Sequence, residues 1–227
     1  MSDYFSDLDE AVMKISIQYE IKNLYNIQNR YDENDYWPRL SKGKYFEKLY
    51  KKHKYHFLYE IQGLSSQIHF GLVSCFLFRE KISIEPGNPN VYNHRYTFMI
   101  ESTIHGIYSF WNRVGLVLNT YLTKPFSIKK TYFPNVINQL VLDYPELQQD
   151  SLYEWINTIR IALNNLDRNE FTHNNSLIMQ NFLPSNPDFA NFKGLLAMPE
   201  LLLLHNKYIV DEIYNLVQLV EKLDTLS

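Results

Sequence analysis

Between Tyr92 and Leu122 the chain sets apolar residues on nearly every side of one helical segment: Phe98, Ile100, Ile104, Ile107, Phe110, Trp111, Val114, Leu116, Val117 and Leu118. A surface helix keeps one face polar, whereas a helix that is hydrophobic all round has to be surrounded by other elements. This segment therefore predicts the central helix of a bundle, and the rest of the chain must supply the elements that cover it. Seven glycines in 227 residues suit long helices better than a turn-rich sheet.

Four further blocks show helical periodicity. From Leu8 to Arg30, Val12, Ile15, Tyr19, Leu24 and Ile27 fall near helical spacing. The polar run Asp32 to Gly43, with Pro38 inside it, breaks the pattern. A long second helix is predicted from Tyr45 to about Glu80, and the turn Glu85-Pro86-Gly87-Asn88-Pro89-Asn90 stops it. Beyond the third, central segment, a stretch with Pro125, Pro134 and Pro145 reads as irregular. Ser151-x-x-Glu154 then reads as a capping box opening a fourth helix, with Leu152, Trp155, Ile156, Ile159, Leu163 and Leu166 in one stripe. Asn174 to Pro199 reads as a long loop holding Pro184, Pro187 and Pro199, and Leu201 to about Leu223 as a closing amphipathic helix. The expectation is an all-α protein: an antiparallel up-down bundle of four to five main helices with long connecting loops, forming a single domain over residues 1–227.

Composition narrows the function classes. Hydrophobic residues make up 45% and charged residues 21%, an ordinary balance for a globular domain. A single cysteine, Cys75, excludes an internal disulfide and a thiolate metal cluster, which fits a reducing cytosol. The acidic start Met1-Ser2-Asp3-Tyr4 lacks the basic and apolar regions of a signal peptide. The run Leu195 to Leu204 is short and interrupted by Pro199 and Glu200, so no membrane span is expected there. The expected setting is cytoplasmic, without membrane contact.

A net charge of −3 argues against coating nucleic acid by bulk electrostatics. The charge is uneven, however. Arg39, Lys42, Lys44, Lys48, Lys51, Lys52 and Lys54 face the single acid Glu47, and on a helix Lys44, Lys48, Lys51 and Lys52 share one face. The stripe reads either as a solvated helix face or as an RNA-steering surface that attracts phosphate.

Arg168-Asn169-Glu170-Phe171-Thr172-His173 stands at the far end of the fourth helical block. The spacing Arg-x-x-x-x-His, with a polar residue directly after the arginine, resembles the signature of the HEPN superfamily. These are all-α domains, many of them metal-independent ribonucleases. The resemblance covers the chain from the third helix onward, roughly 92–225, and gives the helices of residues 1–80 no assigned place. It implies attack of a ribose 2′-hydroxyl on the adjacent phosphorus, leaving a 2′,3′-cyclic phosphate, with no metal and no other cofactor. It also implies RNA as substrate, a site formed across a homodimer, and a defence or toxin-like role beside an antitoxin or defence-system partner.

Such a reaction needs a proton acceptor near neutral pH and a cation on the phosphate. Histidine titrates near that range and arginine can grip two phosphate oxygens at once. The resemblance thus makes His173 general base or acid, Arg168 the phosphate clamp and Asn169 an orienting residue. Superfamily members silenced by a nucleotidyltransferase antitoxin carry a tyrosine two residues after the histidine. Asn175 stands there in this chain, which argues against that mode of silencing.

On a straight helix, positions five apart point about 140° away from one another. Convergence of Arg168 and His173 therefore calls for a helix that ends near the motif, or for a second subunit. The alternative is a solvated Arg168 and a His173 facing a helix dipole. On the third helix, Glu101, His105, Tyr108 and Asn112 share a face. They read either as supporting residues of the same site or as a satisfied polar network. His53, His56 and Glu60 would make a poor metal site amid lysines. No Gly-rich phosphate loop, GxSxG or HExxH is present. A catalytically silent HEPN-like module binding nucleotide, RNA or a protein partner, and a purely structural dimerising bundle, are the alternative functions.

Overall fold

The structure, a computed structural model, describes residues 2–53, 56–85, 88–166, 176–177 and 189–227, and among the described residues every regular element is a helix. In chain order these are α1 (Ser2–Gln18), α2 (Leu24–Ile27), α3 (Tyr36–Ser41), α4 (Tyr45–His53), α5 (Phe57–Arg79), α6 (Val91–Leu118), α7 (Phe133–Asp143), α8 (Ser151–Asn164), α9 (Phe189–Val210) and α10 (Ile213–Leu226), with short 3-10 turns between some of them. The protein is all-α.

The central position of α6 follows from its sequence. Tyr96, Ile100, Ile104, Ile107, Phe110, Trp111, Val114, Val117 and Leu118 are all buried. α5 packs along it, and α7 and α9 cover other sides. Burial on several faces is the solution that such an apolar helix requires. α5 is itself long and apolar enough to cross a membrane by length and composition, and in this protein α6, α9 and α1 pack on it. At the α5–α6 contact, Gly71 lets the helices close up, because a Cβ there would lie 2.2 Å from Thr103 Oγ1. One hydrophobic cluster runs from Ile21 to Leu223, so the N-terminal helices share a core with the later ones.

Several boundaries depart from the periodicity. The first block divides into α1 and α2, because the chain reverses direction at Glu20, a non-glycine residue with φ 54°. The Ile21 amide donates to Ser16 and the Glu20 amide to Ile17, the two bonds of a Schellman cap. A short helix, α3, forms inside the polar run: Asp35 caps it by accepting from Trp37 N, and Pro38 falls in its first turn. The predicted second helix is two, α4 and α5, with His56 at the N-cap of α5.

The stretch read as irregular contains α7, whose Phe133, Val136, Ile137 and Leu140 are buried. Pro134 does not break it because it lies in the first turn, where a missing N–H leaves no bond unmade. The cap of α8 is Asp150, one residue before the predicted Ser151; its carboxylate accepts from Leu152 N and pairs with Lys222 on α10. The closing helix is likewise two, α9 and α10, and α9 begins well before Pro199.

A proline inside α9 has a specific compensation. Pro199 has no N–H to give the Leu195 carbonyl one turn earlier. The buried Tyr96 hydroxyl on α6 donates to that carbonyl instead, at 2.8 Å, and Arg79 Nη1 on α5 reaches Leu196 O at 3.2 Å. Burial keeps the Tyr96 hydroxyl protonated far above the ordinary tyrosine range. Tyr96→Phe is therefore expected to lower unfolding stability by about 1–3 kcal/mol, the cost of a buried carbonyl left bare. In a Pro199→Ala background, where the new alanine amide would serve the Leu195 carbonyl, the loss should shrink. Equal losses in both backgrounds, measured by denaturant unfolding, would show that the hydroxyl does not replace the missing amide.

Candidate functional site

Arg168, Asn169 and His173 lie outside the described residues. What the structure gives is the frame on either side of them. α8 ends at Asn164, with Asn165 as C-cap and Leu166 buried. α8 therefore stops before the motif.

Both flanks of the segment are held by one face of α6. Tyr108 Oη donates to the Leu163 carbonyl in the last turn of α8 at 2.7 Å. Glu101 Oε1 accepts from the Leu177 amide at 2.8 Å. Leu163 precedes the motif and Leu177 follows it, so α6 contacts the chain on both sides of the hexapeptide in sequence. Glu101 and Tyr108 are seven residues apart in sequence, two turns of helix, and His105 lies between them, exposed to solvent. Glu101, which spacing placed beside His105, thus commits an oxygen to the Leu177 amide. Asn112, one turn further, accepts from Phe133 N at 3.1 Å and fixes the start of α7. Of the four side chains that sequence spacing placed on one face, Glu101 and Tyr108 meet the backbone on either side of the motif segment, and Asn112 meets α7 instead. Three of them act on backbone groups of distant elements, a role that spacing alone does not reveal.

The lysine stripe is put to a structural use where it is described. Lys44 Nζ donates to the Asp224 carbonyl at 2.6 Å and the Ser227 carbonyl at 3.2 Å. Lys48 Nζ donates to the Thr120 carbonyl at 3.3 Å. A cation on the unpaired carbonyls of a helix end is favourable for both hydrogen bonding and dipole. Lys51 and Lys52 continue α4, but their side chains lie outside the description. Glu60, drawn above toward His53 and His56, pairs with Arg113 of α6 at 3.0 Å. Among the described residues no cluster of three or more His, Cys, Asp or Glu could hold a metal ion. Cys75 is fully buried, and burial raises its thiol pKa far above the ordinary range, so it offers no nucleophile.

A concave feature lies elsewhere, between α1, α2 and α5. It is an open groove of about 640 Å³ lined by Val12, Met13, Ser16, Ile17, Ile21 and His69 among others. Ser16 Oγ lies 3.2 Å from His69 Nε2 and also 2.9 Å from the Val12 carbonyl, to which it donates. Burial pushes His69 below the ordinary histidine value, and the Ile21 carbonyl pulls weakly the other way. A hydroxyl committed to its own helix is a poor nucleophile, so the pair is a satisfied contact at the groove floor. Sequence spacing had no means of finding it, since the two residues are far apart in the chain.

No protein-family model, no curated protein and no solved structure matches this chain, so what can be said of its chemistry rests on the residues themselves.

Proposed function

We propose that the protein is a metal-independent endoribonuclease of HEPN type, cleaving RNA by attack of a 2′-hydroxyl on the adjacent phosphorus. The observation that carries this reading is the Arg168-x-x-x-x-His173 spacing within an all-α chain. It is supported by the central helix α6, whose Glu101 and Tyr108 grip the backbone on either side of that segment. His173 removes the 2′-hydroxyl proton or returns one to the leaving 5′-oxygen. Arg168 offsets the charge that builds on the phosphate, and Asn169 orients it.

In this reading the active species is a two-fold homodimer. A groove shared by two copies gathers cations from both and offsets a chain whose own net charge is −3. A cytoplasmic defence or toxin role, beside an antitoxin or other defence partner, follows from the resemblance alone.

The test is incubation of purified protein with labelled RNA in excess EDTA. Cleavage should persist and leave a 2′,3′-cyclic phosphate, because the nucleophile comes from the substrate. Activity lost on chelation and restored by a divalent metal would reject the mechanism. RNA binding without cleavage would favour a silent module instead. Light scattering of the active sample addresses the assembly: a monomer with undiminished cleavage would remove the dimer.

A further inference from the structure

We infer that the solvent-facing stripe of α6 made by Arg95, Phe98, Ser102 and His105 is a track for single-stranded RNA, with one unpaired base stacked on Phe98. This rests on the ribonuclease reading for its direction, since the stripe runs toward Glu101 and Tyr108, which hold Leu177 and Leu163, but the residues that carry it are separate. On a helix of 3.6 residues per turn these four positions fall within about 80° of one another and span about 15 Å. All four are exposed. Phe98 is 62% exposed on a helix whose other phenylalanine, Phe110, is fully buried.

The end of the stripe at the start of α6 holds two fixed cations. The Arg95 guanidinium lies 5.5 Å and the Lys81 ammonium 5.4 Å from the centre of the Tyr92 ring. A shared aromatic ring holds both charges in place. The other end lies beside Glu101 and Tyr108, which anchor Leu177 and Leu163 around the segment containing Arg168 and His173. The neighbouring carboxylate of Glu101 is engaged by the Leu177 amide, and that of Glu85 accepts from Asn88 Nδ2.

Cations, an exposed ring, a hydroxyl and an imidazole in sequence match a phosphate backbone with a base beside it. A protein partner would call for a contiguous apolar patch at the centre of the contact, whereas the exposed apolar residues of this face, Val91 and Phe98, have Arg95 between them. A paired base has no free face for Phe98, so the strand is single.

The experiment measures fluorescence anisotropy of a labelled 2′-O-methyl oligouridine, which lacks the nucleophile and stays intact on the wild-type protein. Phe98→Ala should weaken its binding about tenfold, while Phe98→Trp keeps it, as expected for one stacked base. Arg95→Gln should weaken binding and flatten its salt dependence. Phe98 is exposed, so an unchanged thermal midpoint will accompany these effects. An unchanged Kd for Phe98→Ala, an equal loss for a duplex of the same length, or no RNA binding at all would overturn the track. Cleavage by wild type with an unchanged Phe98→Ala Kd defeats the track alone. Phe98-dependent binding with no cleavage of any RNA defeats the ribonuclease reading alone.

Discussion

His173→Ala is expected to lower RNA cleavage by about 10²–10⁴-fold, the usual contribution of a positioned general acid or base. Arg168→Ala should lower it by about 10²–10³-fold, as for loss of one group that stabilises developing charge. Neither change should move the thermal midpoint appreciably. A side chain that must reach a substrate phosphate fills little of the core, so its truncation leaves little cavity. The two losses should not add, because proton transfer and charge stabilisation act in the same step. The measurement is single-turnover cleavage of labelled RNA in EDTA, with thermal unfolding of each variant alongside. Undiminished cleavage by either variant would remove that residue from the mechanism. A large fall in midpoint together with the lost activity would reassign it to folding.

The supporting face of α6 gives a graded companion to that result. Glu101 and Tyr108 touch the backbone on either side of the motif, so in the proposed ribonuclease they act as positioning residues. Their removal should disturb the placement of Arg168 and His173 without deleting any chemistry.

The sequence displayed those parts of the fold that one element decides by itself. α6 was legible because apolar residues on nearly every side place a helix at the centre of a bundle, although Phe98, which that pattern includes, faces solvent. The stop after α5 was legible because Pro86, Gly87 and Pro89 act locally. Where a helix's start, its cap or a distant contact decides, the pattern misled. Pro134 reads as a breaker until it is known to sit in the first turn of α7. Pro199 reads as a loop residue until Tyr96 is seen to serve the carbonyl that it leaves bare. The reversal at Glu20 carries no glycine to announce it; its left-handed backbone is held by the two capping bonds to α1.

The candidate site divides in the same way. Glu101, His105, Tyr108 and Asn112 could be grouped from helical spacing, but the partners Leu177, Leu163 and Phe133 lie on other elements and no local rule connects them. Lys44 and Lys48 form a stripe in the sequence, yet carbonyls at the ends of remote helices take up their ammonium protons.

The second large effect is on stability. His205 on α9 is fully buried, and among the described residues neither ring nitrogen has a hydrogen-bond partner. The Ala162 carbonyl of α8 opposes the effect of burial without reaching hydrogen-bond geometry. Burial lowers its pKa from 6.5 to about 4, since an imidazolium without a partner is costly in an apolar interior. The unfolded chain then binds a proton that the folded chain refuses between those two values, so stability rises with pH across the window. Stability is complete above about pH 6.5, declines as pH falls, and reaches its full loss near pH 4, where the folded protein also protonates. That displacement corresponds to about 3 kcal/mol. His69 is also lowered, and being half-buried it contributes a smaller slope in the same direction. Asp143, Asp150 and Glu221 are held below the ordinary carboxylate range by Gln139 and Thr123, Lys222 and Arg39 respectively. Their contribution is present above the ordinary carboxylate value and is lost as pH falls below it, later than most of the histidine effect. His205→Leu isolates the histidine, because it keeps the volume apolar and removes both unpartnered nitrogens. Its advantage over wild type in denaturant unfolding should grow steadily from about pH 7 to about pH 4.5. Parallel stability curves over that interval would mean that His205 is protonated as readily in the folded protein as in the unfolded chain.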